Sequence, residues 1–501
     1  MQNSFLKNIL WTYVLSFSGG PLNYIVRAML SRHTTLEEYG LIYSLLNFYL
    51  LLMMWIDLGV IETTTYFGIQ YYERKDIPKL QGLIGYAAKI QILLISLFSV
   101  LVFTFSGFLA QHYFRLNCAF YIRIWLIFFI FYHLARYLSS LFNIKQEYRF
   151  SILLEPANFL IIAIILPWGL QWNDSVLGLS LVWCCAAFIV FTSFLGVHYQ
   201  KNRFFFKSLP VFLTDKNQFW NYTRNVFFNN CASLLLTRLD IPLMVWCFGL
   251  KGASLYINAA TLAIWGSIII VPTSQILTML IIKLKVNEQN LGLQGLYENI
   301  HKLFFVLLLP MSLIMTVFPK EILFLFYGEA YMSAYPILII LSIASVFMML
   351  ASLQMACLSG LGLIKERNKI MWMALFFMML SFGAFHFFGI TSLAWSYGVT
   401  YLFLFVYAHQ IVKKHIDVHL NLNWLIRIVM ANGMFVLSVF FLKKMFNFNF
   451  IIETLLVLIL SSSCYIIAVC LSRVFTVEDW QSLCQLYRDL AQRSSMDRFE
   501  I

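Results

Sequence analysis

LIYSLLNFYLLLMMWIDLGVIET, residues 41–63, has 23 residues and two charges, Asp57 and Glu62. A helix of this length rises roughly 35 Å, at about 1.5 Å per residue. The hydrocarbon core of a bilayer is about 30 Å thick, so one such helix spans it. The run shows no alternation of apolar and polar residues and is too long for a barrel strand, which excludes the other membrane-spanning architecture. Similar runs fill the chain, at roughly 8–30, 41–63, 80–104, 119–141, 150–170, 176–198, 225–248, 254–280, 301–319, 332–358, 369–388, 391–412, 424–442 and 449–471. The reading is an all-α polytopic membrane protein with about fourteen transmembrane helices.

Composition agrees. Of 501 residues, 61% are apolar and 12% charged, against about half and a quarter in soluble domains. The solvent for most of this surface is lipid. The 49 phenylalanines suit a lipid-facing surface. A net charge of +12 raises the question of nucleic acid. The basic residues, however, lie in short runs between spans and form no patch with aromatic modules, so no nucleic-acid partner is expected. The nine cysteines sit mostly inside apolar runs without a CxxC pair. They read as small hydrophobes, and no metal or cofactor is expected. There is no GxxxxGK[ST], HExxH or GxSxG, and no outward loop exceeds about 15 residues. No catalytic residues are assigned and no enzyme activity is expected; transport is left.

Lys and Arg in the loops set the orientation. With the N-terminus cytoplasmic, 24 of the 35 basic residues fall in inward segments and eight in outward ones, while Lys89, Arg136 and Arg238 lie within spans. Lys7 precedes an apolar run with no small-residue cleavage site, so the first span is read as retained and both termini as cytoplasmic.

The longest polar break before the tail, 199–224, is read as a cytoplasmic linker with an interfacial piece. It separates an N-lobe of six spans (1–198) from a C-lobe of six (225–412). Two further spans (413–472) and a cytoplasmic amphipathic tail (473–501) follow. LLISLFSVLVFTFSGFLAQHYF (93–114) and LLLPMSLIMTVFPKEILFLFYG (307–328) are alike at an offset of about 214. Two pseudo-symmetric six-helix lobes plus two C-terminal helices are expected, since tandem lobes with a site at their interface are a common transporter plan; the bland alternative is chance likeness between Phe/Leu-rich helices.

Ionisable groups within spans are costly and usually face a cavity or a partner. Lys89, Arg136 and Arg238, with Arg27 near the outer end of the first span, are the candidates for a cationic interior that would hold an anionic head group. Asp57, Asp240 and Glu155 are candidates for ion coupling, and Glu62 is a further carboxylate. The bland alternatives are specific: Lys89 can snorkel to the interface, and Glu62 and Glu155 can reach water. Arg238 and Asp240 are too close in sequence to face each other, and His133 and His386 read as packing residues. Gly19-Gly20-Pro21 interrupts the first span and is either a hinge or a static bend.

RAMLSRHTTLEEYGLIYSLLNFYLLLMMWIDLGV (27–60) resembles the opening of bacterial polysaccharide (O-antigen, Wzx-type) flippases of the multidrug/oligosaccharidyl-lipid/polysaccharide exporter superfamily. The matching features are Arg32, Tyr39-Gly40 and Asp57-Leu58-Gly59. RLDIPLMVWCFGLKGASLYINAATL (238–262), with Asp240 and Tyr256, and FYGEAYMSAYPILIIL (326–341), with Gly328 and Tyr331, are similar too. The resemblance covers roughly 5–415. It implies two six-helix lobes opening alternately to each side and a cationic central cavity. It also implies coupling to an ion gradient, with an undecaprenyl-diphosphate-linked oligosaccharide moved outward across the bacterial inner membrane. Membrane lipids are the surroundings, and the resemblance admits a polysaccharide polymerase/chain-length complex as a partner. The rivals are a lipid II-type flippase, which shares the pyrophosphate; a drug/cation antiporter of the same superfamily, which favours an acidic cavity; a membrane polymerase or ligase, which needs a large outer loop; and a scaffold.

Overall fold

A computed structural model describes residues 19–145, 147–172, 175–201, 216–286, 290–416, 422–445 and 450–472. In chain order the helices are α1 (19–33), α2 (Leu36–Asp57), α3 (Val60–Glu73), α4 (Ile77–Phe108), α5 (Ala119–Ile144), α6 (Tyr148–Ile152), α7 (Leu154–Gly169), α8 (Ser175–Lys201) and α9 (Lys216–Arg238). They continue as α10 (Asp240–Ala263), α11 (Ser267–Val286), α12 (Asn290–Val317), α13 (Pro319–Tyr327), α14 (Tyr335–Gly360), α15 (Ile364–Ala384), α16 (Ser392–Lys413), α17 (Leu422–Met445) and α18 (Phe450–Leu471). No strand occurs among the described residues. The expected interfacial piece of the linker and the tail helix lie largely or wholly outside them.

Helix ends follow local chemistry. Thr35 and Glu38 form a reciprocal capping box at the start of α2: the Glu38 N–H donates to Thr35 Oγ1 (3.3 Å) and the Thr35 N–H donates to Glu38 Oε2 (2.8 Å). Asp76 caps α4 and pairs with Lys79 at 3.0 Å, contacts that hold its carboxyl below the usual range. A six-residue π turn (Leu109–Phe114) closes α4, and Gly249 interrupts α10. The sequence reading puts an outward loop at this second position.

Ten helical stretches among the described residues are long and apolar enough to cross a bilayer, against about fourteen expected. The difference has local causes. Residues 216–263 form one stretch where the sequence suggests a break, and α1 is described only from residue 19. α15 carries Lys365, Glu366, Arg367 and Lys369 in its first two turns.

The chain divides into two compact units, Asn3–Ile257 and Asn258–Ile501. In the first, α5 packs on α8 and meets α2, α3 and α4. Polar ties cross between helices, as they must where lipid offers no partners. Trp125 Nε1 donates to Ser180 Oγ (2.9 Å), Tyr137 Oη to the Ile84 carbonyl (2.8 Å) and His198 Nε2 to the Leu138 carbonyl (2.8 Å). In the second unit α14 is the hub, packed against α11, α12 and α16. Thr278 of α11 donates to the Ala356 carbonyl (3.2 Å) and Ser312 of α12 to the Ser342 carbonyl (2.7 Å). α17 and α18 pair, and Tyr465 of α18 donates to the Val306 carbonyl (2.7 Å). Leu93, Leu97, Val100, Phe103, Phe105 and Phe108 leave one face of α4 exposed. An apolar face of this extent belongs against acyl chains.

Gly40 explains its own place in the Tyr-Gly motif. A Cβ there would run into the backbone carbonyl of Leu250, so α2 and α10 meet only because residue 40 has no side chain. Gly40→Ala should lower stability by about 1–3 kcal/mol through overpacking. Gly85 in α4 faces open space, so Gly85→Ala should be neutral or mildly stabilising. Thermal unfolding of the two variants in detergent checks the contrast.

Candidate functional site

The site forms where α2 breaks. Leu58 and Gly59 both take left-handed backbone conformations, with φ of 47° and 83°. A β-carbon at residue 59 would sit about as close as atoms allow to the Thr223 carbonyl and Val226, each 3.0 Å away. Glycine therefore meets two demands at once, the positive φ and the approach of α9. The break frees backbone donors at the start of α3. Asp57 answers one of them, accepting from the Ile61 N–H through Oδ1 (2.9 Å).

The other carboxylate oxygen of Asp57 faces Arg136 of α5, with Oδ2 3.5 Å from Nη2. The Asp57 side chain is 10% exposed and that of Arg136 is 41% exposed. The acid is thus rooted in the fold while the Arg136 side chain is partly exposed. Arg136 has five N–H donors and this contact engages one nitrogen.

Further charges gather nearby in the same unit. Glu62, one turn into α3, accepts from Asn230 Nδ2 of α9 (2.8 Å) and lies within electrostatic reach of Asp57 and Arg136. Tyr132, one turn before Arg136 on α5, feels the charges of Glu155, Arg136 and Arg238. Charges of both signs therefore fall within electrostatic reach of this stretch of α5, and Asp57–Arg136 is the pair in direct contact. Sequence reading anticipates a cationic lining. In the first unit Arg136 faces a carboxylate, that of Asp57, as an ionisable group held among membrane helices commonly does.

The other candidates occupy other places in the first unit, with Asp240 within electrostatic reach of Arg238. Lys89 is exposed on α4. Arg27 lies in an aromatic clamp: Nη1 donates to Tyr39 Oη (3.3 Å), Nε to Asn23 Oδ1 (3.2 Å), and the guanidinium covers the Tyr43 ring at 4.1 Å. Asp240 is buried at the start of α10, bonded to the Ile241 N–H and to Tyr256, with Oδ1 unpartnered. Gly19, Gly20 and Pro21 fall within helical backbone, Gly19 against Pro156.

Two features escape sequence reading. The first is a buried chain behind Asp57. Gln91 Nε2 donates to the Asp57 carbonyl (3.3 Å) and His133 Nε2 donates to Gln91 Oε1 (2.6 Å), with His133 fully buried. The second is a set of aromatic contacts that α9 makes with α2, α3 and α4. Tyr66 stacks on Tyr222 at 4.4 Å, Trp55 packs on Phe227 at 5.7 Å, and Trp220 donates to Tyr86 Oη (3.0 Å). Trp55, Tyr66 and Trp220 are exposed. Gln91 and these aromatics are unremarkable in an apolar run; only the fold gives them a common place.

Known proteins give the fold its setting. No family model matches the chain. An uncharacterized membrane protein of Methanocaldococcus jannaschii is 21% identical over 478 residues, covering 88% of this chain and 90% of its own. The lipid II flippase MurJ, in an inward closed conformation, superposes with a TM-score of 0.75 at 12% identity, over 93% of this chain and 99% of its own. An inward-facing multidrug resistance MATE family transporter of the MOP superfamily gives 0.62 at 11% identity, over 83% and 95%. A MOP superfamily transporter from Pyrococcus furiosus, described as having a binding pocket of reverse polarity, gives 0.57 at 12% identity, over 81% and 96%. The fold is that of MurJ and the MATE transporters.

The Asp57–Arg136 pair yields a double-mutant test. Asp57→Asn keeps an oxygen for the Ile61 N–H, and Arg136→Gln leaves the acid without its partner. The double variant should recover about 1 kcal/mol of what the two single losses sum to, the scale for a half-exposed pair. Thermal melts in detergent measure the coupling; additive losses would mean that the pair contributes nothing.

Proposed function

We propose that this chain is a flippase that carries an undecaprenyl-diphosphate-linked oligosaccharide, such as an O-antigen, capsule or exopolysaccharide unit, from the cytoplasmic to the outer leaflet of the bacterial inner membrane by alternating access. Both termini would be cytoplasmic. One observation carries the reading: a fold shared with a lipid II flippase holds, within its helices, a partly exposed arginine that faces Asp57 through one nitrogen. A guanidinium presented in this way suits a pyrophosphate, which accepts paired hydrogen bonds. Arg238 is the second phosphate ligand, with Lys89 and Arg27 as outlying basic positions. Asp57, Asp240 and Glu155 are the carboxylates proposed for ion coupling, and Gly19-Gly20-Pro21 the bend proposed as hinge. The exposed faces of Trp55, Tyr66 and Trp220 offer stacking surfaces for sugar rings.

A lipid II-type cargo is the second reading, favoured by the likeness to MurJ; the two cargoes share the pyrophosphate. A drug/cation antiporter is supported by the buried carboxylate of Asp57. The MATE transporter named first above matches 83% of this chain and MurJ 93%. The difference is about the length of one helical hairpin and speaks for the lipid-linked cargo. Nothing among the described residues bears on a polymerase/chain-length complex.

In cells lacking the gene, undecaprenyl-linked oligosaccharide should accumulate on the cytoplasmic leaflet, and the wild-type gene should clear it. Arg136→Ala and Arg238→Ala, at matched membrane levels, should clear it at least ~10-fold more slowly, equivalent to about 1.4 kcal/mol of lost recognition. Full rescue by both variants would remove the arginines from cargo binding. Accumulation of lipid II instead would favour the second reading.

A further inference from the structure

Tyr297 and His301 lie one turn apart on α12, Gln354 faces them from α14, and His409 completes the group from α16. Tyr297, His301 and Gln354 are buried and His409 is half-buried. Their hydrogen bonds run in one direction. His301 Nδ1 lies 2.7 Å from the Tyr297 carbonyl, which can only accept, so Nδ1 carries the proton and Nε2 is bare. Gln354 Nε2 donates to His301 Nε2 (2.9 Å) and to Tyr297 Oη (2.7 Å), using both of its hydrogens. The Tyr297 hydroxyl then donates to His409 Nδ1 (2.8 Å), which places the His409 proton on Nε2. Gln354 Oε1, in contrast, is buried without a partner.

The same four side chains admit a second arrangement with one more proton. A glutamine amide is nearly symmetric in shape, so a half-turn exchanges Oε1 and Nε2 without moving neighbours. Oε1 then accepts from Tyr297 O–H and from a newly protonated His301 Nε2. The Tyr297 oxygen accepts from His409, which exchanges its Nε2 proton for one on Nδ1 and stays neutral. Every bond reverses, the net gain is one proton, and His301 becomes the imidazolium. Each arrangement leaves one end of the Gln354 amide unpaired, so neither is favoured by hydrogen-bond count. Because the group ties α12, α14 and α16 together, a proton bound there is felt by three helices.

Among the described residues, charged and titratable neighbours lie along the same helices and those around them. Lys413 lies one turn beyond His409 on α16, and Cys357 of α14 is near Tyr297. Glu298 and Lys302 flank the group along α12, and Gln294 donates to Glu298 (3.4 Å). On the surrounding helices Lys285 donates to the Leu361 carbonyl (2.7 Å), Arg367 to Ser359 Oγ (3.1 Å) and Arg427 to the Ser472 carbonyl (3.2 Å).

We infer that His301, Gln354, Tyr297 and His409 form a proton-binding site in the second unit, filled by reversal of this hydrogen-bond chain. Where the flippase reading holds, the site makes the proton the coupling ion.

The test uses the full-length chain in lipid nanodiscs, with ¹⁵N-labelled histidine and the proton as the only ligand. Imidazole nitrogen shifts are followed from about pH 8 to pH 5, the range in which histidine changes charge. His301→Gln and His409→Gln assign the two signals among the nine histidines. His301 should gain its proton in the same transition that moves the His409 proton between nitrogens. Tyr297→Phe keeps the ring and removes the bridge, and should split that transition into two, about one pH unit or more apart. Gln354→Leu should do the same if Tyr297→Phe fails to fold. A His301 that stays neutral throughout, or titrations unchanged by loss of the bridge, would overturn the site. No cargo is present, so failure here leaves the flippase reading standing. Failure of the leaflet assay with the shared transition intact removes the cargo and not the proton site.

Discussion

A break in a helix frees backbone groups, and where lipid excludes water these must be satisfied from within the protein. In the first unit the break is Leu58-Gly59, and the repair is Asp57. One carboxylate oxygen caps the start of α3 while the other holds Arg136. Behind it, Gln91 satisfies the Asp57 carbonyl and is itself held by His133. Capping, ion pairing and helix packing thus converge on one residue, and the position of Arg136 follows from that of the break.

This arrangement changes what the charges can do. A wall of unpaired arginines would bind any anion tightly and would be costly to build in lipid. Under the flippase proposal, an arginine that already faces Asp57 is cheaper to bury and easier to release a cargo from, because a phosphate contact at Arg136 competes with that carboxylate.

Each unit also contains a buried glutamine–histidine pair: Gln91 with His133, and Gln354 with His301. In the first unit the pair ends on a backbone carbonyl and is static. In the second it continues through a tyrosine hydroxyl to a half-exposed histidine. A hydroxyl can donate or accept, so only the second chain can reverse.

Helical spans are legible in the sequence because lipid imposes one length and one polarity on each of them. The Asp57-Leu58-Gly59 motif stands out for a related reason, as a charge and a glycine together in an apolar run. Boundaries are less legible. Gly249 interrupts α10 where a loop is expected, while 216–263 continues past an expected break. The pairing of Asp57 with Arg136 could not be read, since 79 positions separate them and only packing of α2 on α5 joins them. The same holds for Tyr297, Gln354 and His409, which lie on three helices 57 and 55 positions apart in sequence and are joined only by the packing of α12, α14 and α16. The motif's Gly40 is visible as a pattern, but its cause, the carbonyl of Leu250, belongs to the tertiary structure.

The most direct measurement is a cryo-electron microscopy map of the full-length chain in nanodiscs loaded with undecaprenyl diphosphate. The account expects phosphate density within hydrogen-bond distance of Arg136, with the guanidinium still against Asp57 or turned from it towards the phosphate. Phosphate density bound elsewhere, with Arg136 facing acyl chains, would contradict it.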